Sequence, residues 1–142
     1  MELKLHDLQF DSQRPGCCLG GLLYISIGDA FFPAENWYDM PFLDLQTWLP
    51  RLISFGSNHT DSCELPFMDG PYTARLSRLP DGSITVSCFD DHRLVAQKKV
   101  VLYVFFRSVI TCLRKYDRFL FENGRENRFL MEIKQLKTLL DT

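Results

Sequence analysis

A strand-like hydrophobic period dominates the first part of this chain and gives way for good near residue 101. That change limits the folds open to it. Before it, apolar residues alternate in short runs bounded by turn residues, with one helical stretch among them. After it, Leu102, Phe105, Phe106, Val109, Ile110, Leu113 and Tyr116 mark one face of an amphipathic helix. Asn123-Gly124 is a stop signal, and Phe129, Leu130, Ile133, Leu136, Leu139 and Leu140 resume the helical spacing. Segregated elements of this kind predict an α+β domain. The expectation is an antiparallel sheet of about five to six strands, with one central helix and two C-terminal helices packed on one face. At 142 residues the chain suits a single domain, 1–142, with its own core.

The strands can be placed from pattern and punctuation. Leu3, Leu5, Leu8 and Phe10 keep period two with a slip at His6-Asp7, which predicts a bulged first strand. Arg14-Pro15-Gly16 reads as a turn, and Leu22 to Ile27 as a second strand. Gly28-Asp29 is a tight hairpin into Ala30-Phe31-Phe32, and Pro33, lacking an N–H, ends that strand. One of the two adjacent phenylalanines must then face away from the core. Asp39 is the expected N-cap of a helix, with Pro41 in its first turn and Phe42, Leu45, Trp48, Leu49 and Leu52 on its apolar face. Pro50 predicts a kink or a break in it. Residues 56–66 read as a polar loop. Tyr72 to Leu79 and Ser83 to Phe89 form a hairpin around Pro80-Asp81-Gly82, and a further strand covers Leu94 to Lys98.

Catalytic chemistry finds little support. His6, His59 and His92 lie in no motif that sets a nucleophile beside a base. His59 and Cys63 are four apart, but in a loop and without a second ligand pair, so no metal is expected. No phosphate-binding loop or dinucleotide fingerprint occurs, and no cofactor is expected. Of the acids in the aromatic-rich blocks, Asp29 suits a hairpin, Asp39 a cap, and Asp69-Gly70 a turn. An enzyme using Asp39, Asp69 or His59 would need those groups to converge in one cleft.

Charge is divided along the chain. Residues 1–91 hold five basic and 13 acidic residues, a net of −8, and residues 92–142 hold eleven and five, a net of +6, which together give the −2 of the whole. Two arrangements fit: the halves pair within the molecule beside a solvated face, or an acidic surface steers a basic partner. The basic C-terminal part contains Arg107, Arg114, Lys115 and Arg118, yet a pI near 5.9 argues against a nucleic-acid-binding domain. No apolar run reaches the length of a membrane span. Met1-Glu2-Leu3-Lys4 opens no secretory signal, and five scattered cysteines, Cys17-Cys18 among them, suit a reducing compartment. The expected location is cytoplasmic.

Four segments stand out: Gly28-Asp29-Ala30-Phe31-Phe32-Pro33, Trp37-Tyr38-Asp39-Met40-Pro41, Trp48-Leu49 and Phe67-Met68-Asp69-Gly70-Pro71-Tyr72. In these the chain resembles a group of small, largely uncharacterised bacterial α+β proteins. That group is similar to immunity proteins of polymorphic toxin systems, including contact-dependent growth inhibition. The resemblance spans about Gly28 to Tyr72 and implies a non-catalytic protein that binds and neutralises a cognate toxin domain, such as a nuclease. The expected contact residues are Asp29, Glu35, Asp39, Asp61, Glu64 and Asp69 for steering, with Trp37 or Tyr38 as anchors. The alternative is a regulatory or adaptor domain that self-associates through its last helix.

Overall fold

The computed structural model describes residues 1–10 and 19–141. The Arg14-Pro15-Gly16 turn and the Cys17-Cys18 pair lie outside the described residues. The class is α+β, but the strands divide into two antiparallel sheets of four, where a single larger sheet was expected. In the first sheet β1 (Glu2–Phe10) and β3 (Ala30–Phe32) flank β2 (Leu19–Ile27), and β4 (Tyr38–Asp39) continues beside β2 beyond the end of β3. Pro33 follows the last residue of β3, and the pairing with β2 shifts by three residues before β4. The second sheet is a meander of β5 (Ser62–Pro66), β6 (Tyr72–Arg78), β7 (Ile84–Asp90) and β8 (Arg93–Val100).

Helix α1 (Pro41–Gly56) joins the sheets, and α2 (Leu102–Glu122) and α3 (Leu130–Leu140) follow them. Pro41 opens α1 as expected, and α1 runs as one helix through Pro50. The cap is different. Met40 occupies the N-cap position without a side-chain bond, and Asp39 precedes it at the end of β4. The bulge in β1 falls between His6 and Gln9, with Asp7 at φ 53. The β2–β3 hairpin is a two-residue loop that starts at Gly28 with φ 58, a backbone glycine adopts without strain.

Two strands escaped the sequence pattern. β4 is only two residues long. β5 lies in the stretch that reads in sequence as a polar loop, and its buried Cys63 and Leu65 alternate with exposed Ser62 and Glu64. Two apolar residues are too few to stand out, and pairing with β6 decides the matter. Phe31 is the outward phenylalanine at 39% exposure, and Phe32 is buried at 4%. One continuous core joins β1 and β2 (Leu5, Leu23, Ile25), α1 (Leu45, Trp48, Leu52, Phe55), the second sheet (Leu65, Leu76, Val86) and α2 (Phe105, Val109, Leu113). Among the described residues no helix is long and apolar enough to cross a membrane.

Candidate functional site

The segments that dominate the sequence meet at one place, where β4, the start of α1 and the 67–72 loop come together. Asp39 is its centre. One carboxyl oxygen accepts the backbone N–H of Met40 at 2.7 Å. The other accepts the indole N–H of Trp37 at 2.9 Å and the backbone N–H of Asp69 at 3.3 Å. Asp44, one turn into α1, accepts the backbone N–H of Met68 at 2.8 Å. Its remaining oxygen meets no N–H donor. Burial, the hydrogen bond to Asp39 and the neighbouring charges push the Asp44 carboxyl up to about 9. A carboxyl pushed that high keeps its proton at neutral pH, beside the carboxyl of Asp39.

Aromatic rings enclose this carboxyl pair edge to face. Trp37 meets Tyr72 at 5.2 Å, Phe32 meets both Phe67 and Tyr72, and Trp48 meets Phe67 at 5.0 Å. The Trp48 indole donates to the carbonyl of Pro66. Gly70, at φ 85, lies flat against the rings of Tyr72 and Trp37, where a Cβ would stand 2.9 Å from the Tyr72 ring. Asp39 and Asp44 are 1% and 0% exposed, so no substrate atom reaches them. The buried pair ties β4, the start of α1 and the 67–72 loop together.

The expected contact residues separate on this frame. Asp39 is a correction: its oxygens are taken up inside, so it is neither a surface steering charge nor an N-cap. Trp37 is half-buried, with its polar edge engaged. Glu35, Tyr38 and Asp69 are exposed near the tie, Tyr38 at 49%, whereas Asp29 is exposed at the far end of β2, in the hairpin whose Gly28 lies beside Lys98. Asp61 is exposed just before β5 and Glu64 lies in β5, where Arg75 occupies it at 2.7 Å. Asp44 was missed. Its position on the buried α1 face, one turn before Trp48, was the available signal.

The remaining chemistry-bearing groups are dispersed. His59 is exposed in the loop before β5, while Cys63 faces the core. Burial pushes the thiols of Cys63, Cys88 and Cys112 up to about 12, far from the thiolate a nucleophile requires. Among the described residues no group of three acids, histidines or cysteines is placed to hold a metal. Among the described residues the charged halves meet only at the turn between β7 and β8, where Arg93 pairs with Asp90 at 3.6 Å and His92 lies beside Asp91. Ion pairs among the described residues stay within one strand, one hairpin or one sheet, and none reaches α2 or α3. Comparison with protein-family models, with curated proteins and with solved structures finds no match.

Proposed function

We propose that this protein is a non-catalytic binding protein, an immunity protein that neutralises a cognate toxin domain through a protein–protein interface in the cytoplasm. One observation carries the reading: the prominent segments divide into an inner set and an outer set. Asp39, Asp44, Trp48, Phe67 and Tyr72 lock the frame, Glu35, Tyr38 and Asp69 stand exposed near it, and Asp29 stands exposed at the tip of the β2–β3 hairpin. A frame without access for substrate, bearing acids and an open aromatic ring, suits recognition of a basic protein surface. The acids steer the encounter, and Tyr38 supplies contact area.

The test is protection in a sensitive cell, using the product of the adjacent reading frame with and without this protein. Rescue is the expected outcome, and a neighbour whose toxicity is untouched removes the reading. With a partner in hand, Asp29→Asn, Glu35→Gln and Asp69→Asn together should slow association roughly tenfold at low salt and flatten its salt dependence. Unchanged kinetics would sink the steering role.

A second reading, self-association, rests on a different surface. Phe121, Leu130 and Met131 are 73%, 62% and 69% exposed where α2 turns into α3. A regulatory or adaptor domain that pairs through this end should show a mass that rises with concentration, and Phe121→Ser should abolish the rise. A monomeric mass throughout the millimolar range excludes it.

A further inference from the structure

The outer edges of the two sheets are treated in opposite ways. The free edge of β1 is covered by α2. Leu3 N–H donates to Ser108 Oγ at 2.8 Å, Cys112 Sγ donates to Leu3 O at 3.4 Å, and Lys115 Nζ donates to Leu5 O at 2.7 Å. At the far side of the second sheet, β5 packs beside α1. Among the described residues β8 has no such cover. It pairs with β7, and none of its eight residues is buried. Among the described residues its backbone makes no hydrogen bond outside the ladder with β7. Such an edge is a template for an added strand.

We propose that residues 96–100 of β8 receive an extended, acidic segment of a partner protein as a fifth strand of the second sheet. The boundary at residue 96 follows from the register. Phe89 pairs with Leu94 and Cys88 with Ala96, so Val95 is the extra residue of a bulge, and the regular ladder resumes at Ala96. Within that stretch Lys98 and Lys99 are adjacent and face opposite sides of the sheet. Lys99 pairs with Thr85 on the outer face, beside a groove of about 630 Å³ that contains Ser87, Phe89 and Leu94. Lys98 pairs with Val86, and its ammonium reaches toward the backbone of Gly28. Neither lysine has a carboxylate within ion-pair distance among the described residues, although Asp81 feels the charge of Lys99 from farther away.

The two lysines also choose the occupant. Two copies of β8 joined antiparallel about this stretch would bring lysine against lysine, which is destabilising. A neutral apolar strand would leave both ammonium groups facing it unpaired. A strand with two consecutive acids satisfies one lysine on each face while its backbone pairs with the open edge. Exposed Leu94 and Val95, at 49% and 45%, add apolar contact at the other end. This surface is chemically opposite to Glu35 and Asp69, the acids near Tyr38, and does not depend on the immunity reading.

The direct test uses a peptide of about eight residues, alternating Thr and Val around two adjacent Glu, and its twin with Lys in place of Glu. Anisotropy should show the acidic peptide binding roughly tenfold more tightly, and hydrogen exchange should slow at the amides of 96–100 and not at β1. The exposed double substitution Lys98→Glu with Lys99→Glu should reverse the preference, with circular dichroism confirming the fold. Alternate N-methylation of the acidic peptide should remove binding. Equal affinity for the two peptides overturns the proposal. So does binding without protection of 96–100, or displacement of the peptide by an oligothymidylate that leaves those amides unprotected. The last result would mean that charge alone is recognised.

Discussion

Two buried aspartates, Asp44 on α1 and Asp117 on α2, perform the same mechanical task in different surroundings. Each projects from a helix and accepts backbone N–H groups of a distant segment. Asp117 accepts those of Arg128 at 2.8 Å and Phe129 at 3.1 Å. It thereby supplies the start of α3 with the cap that the local residue Phe129 does not provide. Asp44 accepts the N–H of Met68 and lies buried beside a second carboxyl group, that of Asp39. Asp117 thus accepts from two backbone donors, whereas Asp44 accepts from one and keeps its proton beside Asp39. A buried acid is tolerated when donors converge on it or when it gives up its charge.

Removing each acid should break the comparison in a characteristic way. Asp117→Ala leaves two amide donors without their acceptor, and stability should fall by about 2–4 kcal/mol in urea titration. Exchange should quicken first in α3. Loss spread evenly over the molecule would mean that Asp117 is not the anchor of that helix. Asp44→Ala strands one N–H and one face of Asp39, and about 1–3 kcal/mol should be lost.

Asp44→Asn sharpens the contrast, because its amide keeps the acceptor for Met68 and can donate to Asp39. The unfolded carboxyl ionises near 3.8 and the folded one near 9. Between those values the folded state holds the extra proton, so wild-type stability falls as pH rises and levels off above the upper value. Between pH 5 and 8 the Asn variant should lack that decline, the two slopes differing by about 1.4 kcal/mol per pH unit. Parallel slopes would place the proton elsewhere. The smallest effect belongs to the surface. Glu64→Gln removes an exposed pair with Arg75 and should change stability by about 0–1 kcal/mol; a larger loss would mark a role for Glu64 in holding β5.

The legible parts of the fold were those written in local pattern. The bulge near His6-Asp7, the Gly28-Asp29 hairpin, the end of β3 at Pro33 and the stop at Asn123-Gly124 each depend on a few adjacent residues. The site was less legible. Asp39 reads as a helix cap because a carboxylate before a helix normally serves the nearest amides, and here it does bond Met40. Its other oxygen turns to Trp37 and the 67–72 loop, a connection across 30 residues that no local pattern encodes. Asp44 reads as an ordinary acid in a helix's first turn, since nothing nearby in sequence states that a loop and a second acid will close over it.

Residue order alone determined the α+β class, the helical faces, most turns and the split of charge along the chain. These follow from backbone stereochemistry and from the burial of apolar side chains at fixed periods. Tertiary structure alone decided that the strands form two sheets, that β4 and β5 exist, that Asp39 faces inward, and that β1 is covered while β8 is open. Those outcomes depend on which distant segments exclude water from a given group, and that exclusion exists only once the chain has folded around it.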